Sequence, residues 1–173
     1  WYCHTPARYL YDLRNWYDAN MGIISRIAIN HIRKIVLPKD QMYARRFDKI
    51  VANSENVKRR IIKYYRINKN IPVIYPPTDV KKFRYQSSEG FYLSTGRLDK
   101  LKRVDLIVRA FRKMQDKRLV VISSGPEKNN IKKLADRYEN IEVKGWVSDE
   151  EYTDLLSRCT ATIYIPVNED SGI

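Results

Sequence analysis

GFYLSTGRLDKLKRVDLIVRAF, residues 90–111, decides how the second half of this chain folds. A short apolar run, 91–95, meets Gly96, then Arg97, and five residues later Lys102; an amphipathic stretch follows at once. The order is strand, tight turn, two cations, helix start. A turn that brings backbone close to a ligand favours a residue without Cβ. A helix start offers unpaired N–H groups and the positive end of a dipole. An arginine forks onto two phosphate oxygens, and a lysine adds a point charge. The stretch has the layout of a diphosphate site. Two solvated surface cations beside Lys100 and Arg103 are the plainer reading.

The same alternation continues downstream. Strands are expected at 91–95, 119–123 (LVVIS), 141–143 and 161–165 (ATIYI). Between them the apolar spacing predicts helices at 102–115, 127–138 and 149–158. The first should bury Leu106, Ile107, Ala110, Phe111 and Met114, the second Ile131, Leu134, Ala135 and Tyr138. Ser148 with Glu151 spells a capping box for the third. Four strands joined by helices imply right-handed crossovers and a parallel sheet, an α/β class. In such sheets ligands sit beyond the carboxyl ends of the strands. Gly96, Ser124-Gly125, Gly145 and Glu169 each follow a strand, so they should share one rim.

The first half is more helical and far more basic. Residues 1–88 carry 18 Lys and Arg against 6 Asp and Glu, a net +12, whereas residues 89–173 carry 15 against 14. That half should favour an anionic partner: a membrane surface, a phosphorylated substrate or nucleic acid. Ile24, Ile27, Ala28, Ile32 and Ile35 form an apolar stripe flanked by Arg26, Arg33 and Lys34. Strands are expected at 49–54 and 71–75, with Ser54 capping a basic helix over 55–66. PPTDVKKFRYQSSEG, 76–90, is the expected domain boundary. It divides the chain into 1–88 and 89–173.

Composition excludes some classes. Hydrophobic residues make up 43% of the 173, too many for a disordered chain. No apolar run approaches the roughly 20 residues that span a bilayer. The two cysteines, Cys3 and Cys159, have no metal-site spacing and read as reduced thiols of a cytoplasmic protein. The chain opens on Trp1 with no initiator Met and no signal-peptide pattern, which reads as a piece of a longer protein.

Taken one at a time, the other candidate residues each have a plain alternative. The turn around Gly125-Pro126 says only that a strand passes into a helix. Trp146, in Gly145-Trp146-Val147, is either a stacking surface for a base or a packing residue. Glu169 could accept hydrogen bonds from sugar hydroxyls, and Gly172 could let backbone approach a ligand; the alternative is a solvated acidic loop. His4 lies near Arg8 in a proline-containing turn, where a lone histidine is often structural or exposed.

Together these segments resemble the retaining glycosyltransferases of the GT-B fold, the large family 4 group. YCHTPARYLYD (2–12) looks like that family's His-x-Pro-x-Arg segment. IVANSENVKRRIIKYY (50–65) and VIYPPTDVKKF (73–83) match its next conserved stretch. STGRLDKLKRVDLIVRAF (94–111) matches its Gly-Arg-Leu…Lys phosphate loop. SSGPE, KGWV and PVNEDSGI match, in order, its Gly-Pro turn, its base loop and the start of its Glu-x7-Glu motif. The resemblance covers nearly the whole chain, and mannosyltransferases of surface-polysaccharide or lipid-linked sugar assembly are the nearest in flavour.

The resemblance implies a Rossmann-like, donor-binding half of a GT-B fold over 89–173. It also implies a truncated helical and strand portion of the amino-terminal, acceptor-side domain over 1–88. It implies transfer of a sugar, mannose by flavour, from a nucleoside-diphosphate donor to a lipid-linked or saccharide acceptor, with retention. Arg97 and Lys102 would neutralise the diphosphate, with Gly96 and Gly125 in the phosphate loops. Glu169 would contact the donor sugar, Gly172 and Ile173 would offer backbone contacts, Trp146 and Val147 would hold the base, and His4 would face the reacting sugar. No cofactor or metal is implied, since Asp-x-Asp is missing. The expected location is cytoplasmic, with residues 1–88 at an anionic membrane face.

Three departures stand out. The second Glu of the motif would fall four residues past Ile173, Ser171 stands where an aromatic residue is common, and Ser124 replaces the first Gly of its turn. This stretch alone is therefore expected to be inactive or nearly so. A nucleic-acid-binding module is the competing reading, suggested by the basic balance and 13 tyrosines. Against it, no nucleic-acid motif is present and the strand-turn-helix sites lie in the neutral half. A non-catalytic nucleotide-binding domain is a third reading, and the missing GxGxxG argues against NAD.

Overall fold

The computed structural model describes residues 1–67 and 70–170. They form two compact units, Trp1–Pro77 with Asp170, and Thr78–Glu169.

The first unit is built on a short parallel pair, β1 (Tyr2–Cys3) and β2 (Val51–Ala52), with Cys3 opposite Ala52. The strand expected at 71–75 contributes a single parallel bridge, Val73 to Ala52. Helices α1 (Arg14–Ala19), α2 (Ile23–Arg45) and α3 (Glu55–Tyr65) complete the unit. Ser54 caps α3 as expected, its side chain accepting from Val57 N at 3.1 Å. Such a cap contributes about 1 kcal/mol. The core gathers Cys3, Ala44, Ile50, Ala52, Val57, Ile61, Tyr65, Ile67 and Ile71.

The isoleucine stripe does not join that core. Ile24, Ile27, Ile32 and Ile35 are all exposed, Ile24 at 81%. Helix α2 turns Arg33 inward instead. Its Nε donates to Tyr9 O at 3.1 Å, and its Nη1 donates to Asp18 and Asn30. Arg33 survives burial because it is paired and hydrogen-bonded.

The second unit is the predicted parallel sheet. Its strands are β3 (Phe91–Ser94), β4 (Arg118–Ile122), β5 (Ile141–Gly145) and β6 (Ala161–Thr162), in the order β5-β4-β3-β6. All three pairings are parallel. The crossovers are α4 (Val104–Phe111), α5 (Lys128–Ala135) and α6 (Asp149–Arg158). Both sheet faces are covered, as a parallel sheet requires. Leu119 and Val121 pack with α4 and α5, while Phe91, Leu93, Val120 and Ile122 pack with Leu155 and Cys159.

Several local expectations shift. Helix α4 starts at Val104, two residues after Lys102, and buries Val104, Ile107, Val108 and Phe111. Leu106 and Met114 are exposed. The later start has a cause. The Asp99 carboxylate accepts from Leu101 N and Lys102 N at 2.9 and 3.1 Å, which holds those residues in a turn. At α6, Ser148 caps by accepting from Glu151 N at 3.2 Å, but the Glu151 carboxylate takes Lys144 Nζ at 2.6 Å and leaves the capping box half made.

The units divide between Pro77 and Thr78, whereas the sequence reading divides the chain between 88 and 89. Residues just before β3 are stitched to the end of α6: Gln86 N donates to Ser157 O, Glu89 N donates to Arg158 O, and Ser88 bonds Thr160.

Cys3 is wholly buried, and burial, reinforced by Asp170 and Asp40, pushes its thiol up to about 12. Cys3 is expected to stay unlabelled by an aromatic disulfide reagent at pH 8 until the first unit unfolds. Labelling at the rate of a free thiol in native buffer would contradict this packing.

Candidate functional site

The strand order locates the site. The chain lays down β3, moves outward to β4 and β5, then returns through α6 to place β6 on the other side of β3. Between β3 and β6 the winding reverses, and at such a switch point the loops diverge and leave a crevice at the carboxyl ends. The loop after β3 carries Gly96, Arg97 and Lys102. The loop after β6 carries Tyr164 and Glu169. The two flank the switch point.

Hydrogen bonds lace the rim loops together. Val167 N donates to Leu101 O at 2.8 Å, and Arg103 Nε donates to Ile165 O at 2.7 Å. On the other side, Leu98 N donates to Ser124 O at 3.1 Å while Leu98 O accepts from Glu127 N at 2.9 Å. Ser123 N reaches Gly145 O at 2.5 Å. Each of the four loops also holds one residue in the left-handed region: Arg103, Ser123, Gly145 and Asn168. For the three that are not glycine this costs roughly 1–2 kcal/mol each, strain that clusters where loops are shaped for a ligand.

Lys102 and Glu169 meet directly, Nζ to Oε2 at 2.6 Å. Tyr164 OH completes the group, 2.6 Å from Lys102 Nζ and 2.8 Å from Glu169 Oε2. Burial works against the Lys102 charge, but its hydrogen bonds to Glu169 and Tyr164 outweigh it and raise the pKa above the ordinary lysine value. Lys102 is a cation throughout the neutral range. Arg97 differs: its side chain is exposed and has no partner among the described residues. Gly96 is buried, and a Cβ there would lie 3.4 Å from the Tyr164 ring and 3.6 Å from Lys102 Cβ.

Other sequence candidates fare differently. A Cβ at Gly125 would stand 2.3 Å from Leu98 O, so this glycine is demanded by the neighbouring loop's backbone. Trp146 is 78% exposed, which rules out the packing reading, whereas Val147 packs beside Phe91 and Leu93. His4 follows β1 in the first unit, exposed and edge-on to Tyr2 at 5.1 Å between centroids. Gly172 and Ile173, with Ser171, lie outside the described residues. The sequence reading missed Tyr164, since a tyrosine in an apolar strand run carries no signal of its own.

The family model described as glycosyl transferases group 1 matches residues 77–173, 97 of the 173. The chain belongs to that family. A search among curated proteins finds no significant sequence match. Solved structures are more informative about the fold of this group 1 glycosyl transferase. AviGT4, a glycosyltransferase involved in avilamycin A biosynthesis, is 24% identical, with 65% of this chain and 34% of that one covered and a TM-score of 0.52. Anabaena Alr3699/HepE, solved with UDP and glucose, is 15% identical, with 75% and 41% covered and a TM-score of 0.62. The lipopolysaccharide outer core galactosyltransferase WaaB is 17% identical, with 92% and 54% covered and a TM-score of 0.58. These likenesses show the fold, that of the GT-B glycosyltransferases. The chain spans about a third to about half the length of those three proteins.

Gly125→Ala is expected to cost at least about 2 kcal/mol, because a methyl there must displace the Leu98 backbone. Urea denaturation measures it, and a loss under about 0.5 kcal/mol would show that the Leu98 contact is not tight.

Proposed function

We propose that this chain carries the donor-binding half of a retaining glycosyltransferase that takes a nucleoside-diphosphate sugar. One observation carries the reading: Gly96, Arg97, Lys102 and Glu169 converge on the switch point of a parallel sheet, in a chain of the glycosyl transferase family. Arg97 is available to fork onto the diphosphate, and Lys102 adds a second cation. Together they stabilise the negative charge that grows on the departing diphosphate, which is where electrostatic catalysis has most leverage. Glu169 takes hydroxyls of the donor sugar, and the exposed Trp146 offers a face to the base.

In the proposed step the bond from the sugar's anomeric carbon to the diphosphate oxygen breaks. The acceptor oxygen bonds to that carbon on the same face, and the acceptor's proton passes to the departing diphosphate. The two cations do this without a metal or cofactor. Mannose from GDP-mannose is the donor that the motif flavour favours, with a lipid-linked or saccharide acceptor of surface-polysaccharide assembly. His4 is assigned to the acceptor side by the resemblance.

A cytoplasmic enzyme touching the inner membrane face fits the first unit. Helix α2 shows exposed isoleucines beside Arg26 and Lys34, the composition of an interfacial helix on anionic lipid. No described helix is long and apolar enough to cross a membrane.

Arg97→Ala in the intact protein is expected to cost about 2 to 4 kcal/mol of transition-state stabilisation. That would lower kcat/KM for sugar transfer by roughly 30- to 1,000-fold. Unchanged turnover and donor affinity would remove Arg97 from the site.

A further inference from the structure

Tyr164 stands just beyond β6, and no motif singles it out. Its hydroxyl donates to Glu169 Oε2 at 2.8 Å and accepts from Lys102 Nζ at 2.6 Å, while Lys102 donates to that same carboxylate oxygen at 2.6 Å. One cation, one anion and one phenol close a triangle. The ring is fixed as well. It lies against Gly96, where a Cβ would meet Cε2 and Cδ2 at 3.4 and 3.5 Å, and Lys102 Nζ sits 5.2 Å from its centroid. Burial raises the phenol's pKa, with Glu169 adding to it against the lowering hydrogen bond from Lys102, so the phenol is neutral and keeps its proton to donate.

This triangle has a consequence for any diphosphate that arrives. Lys102 already has a counter-ion, so a phosphate that takes its charge competes with Glu169. A half-buried carboxylate that loses a cation is less stable where it stands. The phenol O–H is independent of that exchange and stays on the carboxylate. A hydrogen bond to a charged acceptor is worth more than a neutral one.

We propose that Tyr164 is a positioning residue that holds Glu169 in place while Lys102 changes partner from that carboxylate to the donor's diphosphate. The inference rests on the donor-site reading above and adds an order to it. The diphosphate engages Lys102 and Arg97, and Glu169, kept in place by Tyr164, then meets the sugar. Tyr164 touches neither donor group in this account; it acts through Glu169.

The test measures affinity by calorimetry on the intact protein for two pairs of probes, UDP with UDP-glucose and GDP with GDP-mannose. Tyr164→Phe removes one oxygen and keeps the ring against Gly96, so the melting temperature serves as a check on folding. The expected result is a loss of about tenfold in affinity for the preferred nucleotide-sugar, with the matching free diphosphate within about twofold. Glu169→Gln should show the same selective loss, and the double variant should add little to it. If Tyr164→Phe binds both probes as the wild type does, or weakens both equally, the positioning role is overturned and the donor site stands. If the wild type binds none of the four probes, the donor reading falls and this inference falls with it.

Discussion

Strand β3 is hydrogen-bonded in parallel on both edges, to β4 through Phe91–Ser94 and to β6 through Tyr92 and Leu93. The rest of the second unit depends on that double pairing. It makes β3 central and buries Phe91, Leu93 and Ser94. It also sends the two neighbouring loops apart in sequence and together in space. Because β6 returns to the inner strand rather than extending past β5, the loop carrying Glu169 stands beside the loop carrying Lys102. A sheet ordered by chain sequence would put two strands between them.

Charge at this rim acts by placement. The second half of the chain is almost balanced, 15 cations against 14 anions, so its own cations act locally. Within it, Arg97 is exposed and Lys102 is held by Glu169 and Tyr164. The two cations therefore differ in readiness. One side chain has no partner among the described residues, and the other already has a counter-ion. That difference is a property of the folded loops, since Asp99 fixes the turn that aims Lys102 at Tyr164.

Much of this architecture is legible in the sequence. The α/β alternation follows from apolar runs of strand length separated by 3.6-residue spacing, and Ser54 and Ser148 mark helix starts where the side-chain caps form. What the sequence hides depends on contacts made at a distance. Leu106 and Met114 fit a longer helix, but the Asp99 turn delays α4, which ends at Phe111 and buries Val104, Ile107, Val108 and Phe111. The isoleucines of α2 form an apolar stripe in the sequence, yet the buried side of that helix is organised by Arg33 and its bonds to Tyr9 and Asp18. Gly125 reads only as a strand-to-helix turn, and the Leu98 backbone that demands a glycine there lies in another loop. Tyr164 is silent until β6 pairs with β3.

The donor site is tested most directly by where a nucleoside diphosphate binds. Backbone amide shifts of the isotopically labelled chain, titrated with UDP and with GDP, measure that residue by residue. Changes are expected to concentrate at residues 96–103, 124–127, 145–147 and 164–169, the four loops laced around the switch point. Shifts centred on the first unit, or spread evenly over its basic surface, would contradict it.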